Sequence, residues 1–400
     1  MPVSPKRILL VDADDARAAL LATACREHDP AWEMVTAGDG TEALARLESG
    51  KFDAVVAGTS SPGLSGIDLL RTIMVRHPRT ARIVLADPFD DEQMLGSLGA
   101  AHQYLPEPCQ PDELCGTLAR LMELDVFLTN ENLRRVVTRI QQLPCPPTIY
   151  FRVMKELAQP DATAGSVGAL IAQDASLTAK LLQVSNSAFF GLERPVVSVP
   201  EAVQILGFNL VKSVALSHSL FASLNPPAVG ELSPDRLYLH SLATALLAQR
   251  IALGENGDPA MVDAAFTAGI LHDTGKLVLA SALPDHYHRA VQLAADELIP
   301  QWQAEANVFG VSHAEVGAYL LGLWGLPAPI VEAVAWHHQP GRLESRVFGV
   351  LAAVHIADYL QSHLLPASQR RLAVELDVPY VERLNIHEKM GQWVDDAGHL

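Results

Sequence analysis

The chain has 400 residues, which is more than one hydrophobic core usually organises, so two or three domains are expected. Apolar residues make up 49% of it, which excludes a disordered chain. Its 29 basic and 46 acidic residues give a net charge of −17. This charge argues against non-specific binding to nucleic acid or to anionic membranes, because both need a basic face on the protein.

Cysteine usage and the length of the apolar runs indicate the compartment. The four cysteines are Cys25, Cys109, Cys115 and Cys145. They form no C-x-x-C pair, which is typical of a reducing cytosol and not of a disulfide framework or a zinc finger. The apolar run at 8–11 is too short for a signal peptide, and no stretch approaches the ~20 apolar residues of a membrane span. We therefore expect a soluble cytoplasmic protein with neither a membrane nor a nucleic-acid partner.

Residues 1–122 alternate strand and helix patterns. Short apolar runs predict strands at 8–11, 34–37, 54–57, 83–85 and 104–105, and helical periodicity predicts helices at 15–26, 41–47 and 67–75. Pro111 begins a further helix at a position that proline favours. Strands that alternate with helices predict a parallel sheet covered on both faces, with its ligand site at the carboxyl ends of the strands.

Three stretches of this region carry a family resemblance. They are Ile8-Leu9-Leu10-Val11-Asp12, the run from Phe52-Asp53 to Pro62-Gly63 and Gly66, and Gly99-Ala100 followed by Tyr104-Leu105-Pro106-Glu107-Pro108. Through them the first domain resembles the receiver domain of bacterial response regulators, which implies a flavodoxin-like (βα)5 fold. The resemblance also implies phosphorylation of an Asp that ends the third strand. It implies acidic Mg²⁺ ligands after the first strand, a Ser or Thr after the fourth and a Lys after the fifth.

Each of these chemical positions is altered in this chain. The corresponding residues are Gly58 for the acceptor, Ala13 between Asp12 and Asp14 for the second acidic ligand, Ala86 for the hydroxyl and Glu107 for the lysine. Thr59 and Ser60 carry hydroxyls beside Gly58, but without the lysine and with weakened metal binding they do not replace the acceptor. We predict a pseudo-receiver that is not phosphorylated and that serves docking or dimerisation. The alternative is a purely structural remnant.

Residues 123–143 are the predicted linker. Apolar residues recur at helical spacing from Leu121 to Leu143, with an imperfection across Asn130-Glu131-Asn132, so a connecting helix with a break there is expected. The helix could pair with a second copy of itself, although two heptads are too few for a coiled coil. Pro144-Cys145-Pro146-Pro147 ends it and marks a domain boundary near residue 143.

The chain from Thr148 onward shows no alternating strand pattern. Apolar residues recur at intervals of three and four between turn signals, so an all-α domain of some ten helices is predicted over 144–365. Its predicted core includes Leu181, Leu182, Phe189, Phe190, Leu206, Phe221 and Leu246. Residues 366–400 form a predicted helical tail, in which 372–383 is helical with an interruption at Pro379, and no chemistry is assigned to it.

The stretch His272-Asp273-Thr274-Gly275-Lys276 is the strongest chemical signal in the chain. An imidazole nitrogen and an adjacent carboxylate oxygen can share one metal ion or help to bridge two. The lysine is a mobile charge that reaches a phosphoryl oxygen, and the alternative is that it only pairs with a neighbouring side chain. The apolar, helix-like run before the stretch places the pair at the inner end of a buried helix.

Several further stretches carry a second resemblance. They are Leu143-Pro144, Gln173 to Thr178, Ser185 to Gly191, Ala202 to Gly207, His240 to Ala243 and Leu271 to Lys276. Through them the second domain resembles the HDOD domain, a relative of the HD phosphohydrolases. A receiver followed by an HDOD domain implies a signal-transduction protein whose output domain acts through contacts with other proteins.

The resemblance also implies a candidate metal site. The residues that match ligands of HD hydrolases and of their HD-GYP relatives are His240, His272, Asp273, His313, His337, His338 and Asp358. One or two divalent ions could be held, and such ligands suit Fe, Mn, Zn or Ni. The Gly-Tyr-Pro motif of the HD-GYP group is replaced by Gln339-Pro340-Gly341-Arg342, which argues against recognition of the cyclic dinucleotide that those enzymes cut.

Three functions remain open on this basis. The leading hypothesis is a non-catalytic signalling adaptor, in which the HDOD domain is a regulatory interaction module; the alternative to a metal site there is an inherited but empty one. The second is a metal-dependent phosphohydrolase that uses Lys276. The third is a sensor that binds a nucleotide without cutting it. The expected partners are other signalling proteins, or a second copy of the chain bound through the receiver or the linker helix.

Overall fold

The computed structural model describes residues 5–59, 64–77, 80–86, 100–123, 131–140, 148–224, 233–255, 257–364 and 374–397. The chain divides into two compact units, one of residues 1–148 with 321–325 and one of residues 149–320 with 326–400. The first is an α/β domain and the second is helical, which confirms the predicted fold class. The predicted boundary at 143/144 lies outside the described residues.

Five parallel strands form the sheet of the first unit, in the order β2-β1-β3-β4-β5. The strands are β1 (Lys6–Val11), β2 (Trp32–Ala37), β3 (Ala54–Gly58), β4 (Ala81–Ala86) and β5 (Gln103–Pro106). The described helices are α1 (Asp15–His28), α2 (Gly40–Ser49), α3 (Gly66–Arg76) and α4 (Pro111–Glu123). β3 and β4 are buried at every position, as central strands covered on both faces require.

The parallel register brings the altered receiver positions to one edge of the sheet. Val11 of β1 lies opposite Ala57 of β3, and Ala86 of β4 lies opposite Pro106 of β5. The carboxyl ends of these strands therefore meet, at the edge where doubly wound sheets bind their ligands. The altered receiver positions Gly58, Ala86 and Glu107 lie at this edge, together with the retained acid Asp12.

Helices make up the remainder of the described chain. α5 (Glu131–Arg139) covers part of the predicted linker, of which residues 124–130 lie outside the description. It is followed by α6 (Thr148–Leu157), α7 (Ala164–Ile171), α8 (Ala175–Ser185), α9 (Val199–Ser223), α10 (Pro234–Gly254), α11 (Pro259–Leu271) and α12 (Thr274–Ala282). The next are α13 (Pro284–Glu297), α14 (Gln301–Phe309), α15 (His313–Leu323), α16 (Ala328–Trp336) and α17 (Val350–Leu364). Short 3₁₀ helices lie at Ala188–Phe190 and Pro340–Arg342. The described domain thus has more α-helices than the ten predicted, because junctions as short as the two residues between α11 and α12 carry no turn signal.

The longest described helix, α9, is broken at Gly207, whose φ of 72° and ψ of 164° suit only glycine. Over Val199–Ala222 it is long and apolar enough to cross a membrane by length and composition, with a mean hydropathy of 1.3. The expectation that no stretch approaches that length is therefore wrong for this helix. Since 61% of the window is buried inside the protein, the same pattern also serves a core helix.

The predicted core is confirmed only in part. Leu181, Leu206 and Leu246 are buried. Leu182, Phe189, Phe190 and Phe221 are only partly buried. Phe189 and Phe190 lie in a 3₁₀ turn, where two adjacent side chains cannot both point inward. Their rings pack edge to face at 5.0 Å between centroids, and the Arg250 guanidinium lies 5.6 Å from the Phe189 ring centroid.

The C-terminal segment, defined as residues 374–397, packs into the helical core. It contains α18 (Val378–Arg383) and α19 (Met390–Ala397), and its residues Val381, Ile386 and Trp393 are buried among side chains of α10, α11, α16 and α17. The helix predicted at 372–383 is shorter than expected, because Asp377 caps it at its start. Pro379 does not interrupt it, because in the first turn a proline removes no hydrogen bond.

Candidate metal centre

The seven predicted ligands converge in the helical domain from five directions. His240 is in α10, His272 and Asp273 join α11 to α12, His313 begins α15, His337 and His338 follow α16, and Asp358 is in α17. His240 keeps 27% of its side chain exposed, and the others are almost completely buried. Ionisable side chains are rarely buried in such numbers unless they are paired or bind a metal.

A glycine allows two of these elements to meet. A Cβ at Gly275 of α12 would overlap the carbonyl oxygen of His313 and lie 2.8 Å from the backbone nitrogen of Gly317 in α15. Only glycine therefore lets α12 and α15 approach so closely. The close approach puts Asp273 Oδ1 at 3.1 Å from His313 Nε2. Gly275 is thus a packing requirement of the centre.

A first group of candidate ligands lies on the side of the centre where His240 is partly exposed, which we call the mouth of the centre. His240, His272 and Asp273 each offer a ligand atom, and these atoms lie within 4.8 Å of one another. Asp358 Oδ1 lies 3.1 Å from His240 Nε2 and 3.7 Å from His272 Nε2, and Asp358 forms a further, overlapping group with His272 and His337. His272 Nε2 lies 3.5 Å from Asp273 Oδ2. Two imidazoles and two carboxylates are a donor set that suits Fe, Mn, Zn or Ni.

A second group lies behind the first and shares Asp273 with it. The ligand atoms of Asp273, His313, His337 and His338 lie within 4.8 Å of one another. His338 Nε2 and His313 Nε2 are 3.0 Å apart, and the rings of His337 and His338 have centroids 3.9 Å apart. Because Asp273 offers one oxygen to each group, the geometry suits two ions bridged by one carboxylate.

Hydrogen bonds fix which ring nitrogen faces the centre. His272 Nδ1 donates to the Gly269 carbonyl at 2.7 Å, and His337 Nδ1 donates to the Val334 carbonyl at 2.8 Å. Their Nε2 atoms therefore carry lone pairs. In the described part of the chain, the buried ligand atoms without a hydrogen-bond partner are His272 Nε2, Asp273 Oδ1, His337 Nε2, His338 Nδ1 and Asp358 Oδ2. Such unpaired acceptors fit the presence of a cation.

Glu305 is a further buried group at the centre, and the sequence analysis missed it. Its Oε2 accepts from His313 Nδ1 at 2.6 Å and from the His313 backbone N–H at 2.7 Å, with both side chains fully buried. The Nδ1 proton is therefore used, and a neutral His313 presents only a lone pair towards Asp273 Oδ1. Two acceptors at 3.1 Å repel unless a proton or a metal cation lies between them. A carboxylate behind a histidine is the usual support of a metal ligand.

Burial and the neighbouring charges together set the protonation of the buried ligands. Burial lowers the pKa of His337 to about 3 and holds the pKa of His338 well below its ordinary value, and the neighbouring imidazoles act in the same direction. For Asp273, burial opposes the charged form, but the neighbouring His272 and Lys276 outweigh it and hold its pKa well below the ordinary value. Neutral imidazoles and an ionised carboxylate are the forms that bind metals.

Lys276 pairs with the centre itself. Its Nζ lies 2.7 Å from Asp273 Oδ2, and its side chain is 18% exposed. Burial opposes its charge, but the carboxylate of Asp273 outweighs this and raises the pKa of Lys276 above its ordinary value. The alternative that the lysine pairs with a neighbour therefore describes this structure.

We expect Glu305→Gln to weaken binding of the ion in the second group about 10- to 100-fold, the usual effect of losing a supporting partner. The amide has no charge and can offer His313 either an oxygen or an NH₂ group, so the ring orientation is no longer specified. Titration with Mn²⁺, followed calorimetrically, measures the change. Glu297→Gln, an exposed change on α13, is the matched control. Equal affinities in both variants and the parent would contradict the assigned role of Glu305.

A cavity of about 440 Å³ opens beside His338. Its lining includes Trp302, His338, Gln339, Arg342, Glu375 and Asp377. The Trp302 indole stacks on the His338 imidazole, with centroids 5.8 Å apart and planes at 16°. The volume lies in the range of small-molecule sites. Trp302 was also missed by the sequence analysis, because a lone tryptophan in a helical pattern gives no signal of its neighbours.

In the receiver domain, an ion-pair network lies at the carboxyl ends of the strands, where the altered receiver positions meet. Arg17 of α1 donates through Nε to Asp12 Oδ2 at 2.6 Å and through Nη2 to Asp12 Oδ1 at 2.8 Å. Its Nη1 lies 2.7 Å from Glu107 Oε1. A Cβ at Gly58 would lie 3.8 Å from Glu107 Oε2, so Glu107 points at the acceptor position. The sequence analysis found Gly58, Asp12 and Glu107 but not Arg17, the cation that joins the two carboxylates.

Comparison with known proteins assigns both halves of the chain. Residues 8–119 match the response regulator receiver domain family, and residues 143–340 match the HDOD domain family. Over 207 residues the chain is 28% identical to an "Uncharacterized protein" of Treponema pallidum (strain Nichols), covering 51% of this chain and 39% of that one. Over 148 residues it is 31% identical to the transcriptional regulatory protein TcrA of Mycobacterium tuberculosis, covering 37% of this chain and 51% of TcrA. The chain thus spans about half or less of these curated relatives.

A solved structure agrees with the helical assignment. The HDOD domain protein with unknown function from Geobacter sulfurreducens is 27% identical, with a TM-score of 0.52, over 68% of this chain and 89% of that one. The HDOD match ends before Asp358 and the C-terminal segment, which both lie outside it. Both family matches agree with the parallel sheet and with the helical domain. The chain is therefore a signal-transduction protein that carries a response regulator receiver domain followed by an HDOD domain.

Proposed function

We propose that this protein transmits signals through an HDOD domain that holds two divalent metal ions, and that its receiver domain acts without being phosphorylated. The observation that carries the proposal is the convergence of the seven candidate ligands in overlapping groups, two of which share Asp273. An inherited but empty site would leave several buried acceptors unpaired, at a cost of about 1–3 kcal/mol for each. Because of this cost, a site that binds metal is favoured over an empty one.

When bound, two divalent ions would supply Lewis acidity and lower the pKa of a coordinated water. The residues of the chain would orient the ligands and exclude bulk water. Glu305 holds His313 in place, the Gly269 and Val334 carbonyls orient His272 and His337, and burial keeps bulk water away from the second group. The donor set supports Fe, Mn, Zn or Ni as candidates.

Metal content in protein purified without a His tag, measured by elemental mass spectrometry, tests the proposal. We expect two equivalents in the parent and a loss in His272→Ala, while the exposed His288→Ala keeps the parent content. Parent protein that contains no metal after anaerobic reconstitution with Fe or Mn would overturn the proposal. The metal site would then be an inherited but empty one, and the adaptor hypothesis would still stand.

Phosphoester hydrolysis is the second candidate function. The observation that favours it is the partly exposed Lys276 beside the shared carboxylate, together with the cavity next to His338. An ammonium at this position would attract a phosphoryl oxygen of a ligand at the mouth. Turnover of bis(p-nitrophenyl) phosphate that follows metal content and is lost in Lys276→Met would support it. Saturable binding without product would instead support the sensor hypothesis.

The receiver network supports a docking role for the first domain. Arg17 pairs with the carboxylates of both Asp12 and Glu107 at the phosphorylation edge, so its single positive charge offsets part of their negative charge. The net charge of −17 supports protein partners in the cytoplasm, and not nucleic acid or membrane surfaces. Light scattering on the full chain, with and without residues 1–122, would decide between a second copy and another signalling protein as the partner.

We expect acetyl phosphate with Mg²⁺ to add no phosphoryl group to the intact protein, as measured by mass spectrometry. Gly58 offers no nucleophile, and the negative Glu107 lies where an attacking phosphate would approach. Gly58→Asp alone should stay unlabelled, because Glu107 still repels the donor. A variant that combines Ala13→Asp, Gly58→Asp, Ala86→Thr and Glu107→Lys is the positive control. Labelling of the parent would refute the proposal of a phosphorylation-independent receiver.

A further inference from the structure

The C-terminal segment reaches the metal ligands through one buried histidine. His355 of α17 is fully buried. Its Nδ1 donates to the carbonyl oxygen of His337 at 2.6 Å, and its Nε2 accepts from the backbone N–H of Asp377 at 3.0 Å. Both ring nitrogens are therefore used, and His355 links the C-terminal segment to the backbone of a ligand.

The carboxylate of Asp377 holds the chain on the other side of the histidine pair. Its Oδ2 accepts from the backbone N–H of Gly341 at 3.1 Å, and its Oδ1 accepts from that of Tyr380 at 3.0 Å. A Cβ on Gly341 would lie 2.7 Å from Oδ2, which is too close for a side-chain carbon. Asp377 thus restrains the backbone at residue 337 through His355 and at residue 341 directly, and His338 lies between these two points.

The C-terminal segment itself is firmly anchored. Val381, Ile386 and Trp393 are buried in the core of the helical domain. Arg383 Nη2 also donates to the carbonyl oxygen of Leu343 at 3.2 Å, just beyond the turn that Asp377 holds. Glu375 and Asp377 line the cavity beside His338. The segment is therefore placed both to support the ligands and to shape the space in front of them.

We infer that Asp377 and His355 are positioning residues for His337 and His338, so that the C-terminal segment is a working part of the metal centre. This inference rests on the metal centre proposed above. Ligands bind a metal well only when their own orientation is fixed by surrounding contacts. Here the turn that carries two adjacent ligands is fixed at both ends by a segment that lies beyond the HDOD match.

Cobalt binding to the full chain tests the inference. The variants are Asp377→Ala, Gly341→Ala and the double variant, and the readouts are the Co²⁺ dissociation constants and the visible absorption of the bound cobalt. We expect each single variant to bind one of the two ions about 10- to 100-fold more weakly, with an altered absorption band, and the other ion as in the parent. The double variant should bind this ion no more weakly than the single variant with the larger effect, because both changes break the same contact.

Asp174→Ala is the matched control. Asp174 is also an aspartate N-cap, at the start of α8, and its side chain accepts from the backbone N–H groups of Ser176 and Leu177. Its loss removes a cap in the same domain and should leave cobalt binding unchanged. If Asp377→Ala does not fold, Gly341→Ala decides, since Gly341 is exposed and leaves His355 untouched.

Parent-like affinities and absorption in both single variants would overturn the inference while the metal centre stands. Equal weakening in Asp174→Ala would overturn it as well, because a general loss of stability would then explain the effect. A parent protein that binds no cobalt would overturn the proposed metal centre itself. The failure of the inference and the failure of the centre are thus separate results.

Discussion

Asp273→Asn is expected to abolish binding of both metal ions, the largest effect of any single substitution at the centre. Asp273 Oδ2 lies with His240 and His272, and Oδ1 lies with His313 in the second group. The amide removes the one negative charge that both groups share and replaces one oxygen by a donor that repels a cation. Elemental mass spectrometry after metal reconstitution measures the loss.

The same substitution should also destabilise the metal-free protein. It leaves the Lys276 ammonium without its carboxylate, and breaking a buried pair in this way costs about 3–5 kcal/mol. The partial exposure of Lys276 places the effect at the lower end of that range. Asp273→Asn combined with Lys276→Met removes both charges and should recover most of the stability without recovering metal. Urea unfolding measures this difference.

Asp285→Asn controls for the chemistry of the substitution, because Asp285 is exposed on α13. It should keep both metal ions and the parent stability. The assignment of Asp273 as the bridging ligand would be refuted if a folded Asp273→Asn protein retained either ion at parent affinity. Recovery of metal binding in the variant that combines Asp273→Asn with Lys276→Met would also refute this assignment, since that variant lacks the negative charge of Asp273 as well.

Gly275→Ala is expected to destabilise the protein by about 1–3 kcal/mol or more and to remove the ion of the second group. The added Cβ would overlap the carbonyl oxygen of His313, a backbone atom that cannot rotate away. α15 must therefore move away from α12, and the contact of Asp273 with His313 lengthens. Urea unfolding gives the stability, and Mn²⁺ titration gives the loss of one ion.

Gly317→Ala is a graded control for this prediction. Its Cβ would lie 3.0 Å from the Gly275 backbone nitrogen and 3.5 Å from Gly275 Cα, which is tight but open to a small adjustment. We expect a smaller loss of stability and retention of both ions at reduced affinity. Stability and metal content unchanged in Gly275→Ala would show that the close approach of α12 and α15 does not build the centre.

The fold of the receiver half was largely predictable, because each of its strands and helices is marked by a local sequence pattern. Each strand is a short apolar run and each helix has its own periodicity, and the parallel order of such units leaves few arrangements. Gly58 and Glu107 could be placed at the phosphorylation edge for the same reason, as residues that follow successive strands. Arg17 could not be placed there, because an arginine in an amphipathic helix reads as solvated until its partners are known.

In the helical half, the sequence by itself determined the candidate ligands but not their support. His272 and Asp273 stand next to each other, and the remaining ligands have types and spacings that match a known pattern. No sequence pattern distinguishes Glu305 and Asp377 from ordinary surface acids. The pair Phe189 and Phe190 was predicted to lie in the hydrophobic core. Residue type predicts average burial only, and a particular side chain is buried when its element packs that way.

What only the tertiary structure decided is which distant residues meet. The approach of His272 to Asp358, and the link from Asp377 through His355 to His337, join segments that are far apart in the chain. Helix periodicity sets the face on which a side chain lies, but helix packing sets the partner it faces. The two-group geometry of this centre follows from that packing, with Gly275 allowing the closest of its approaches.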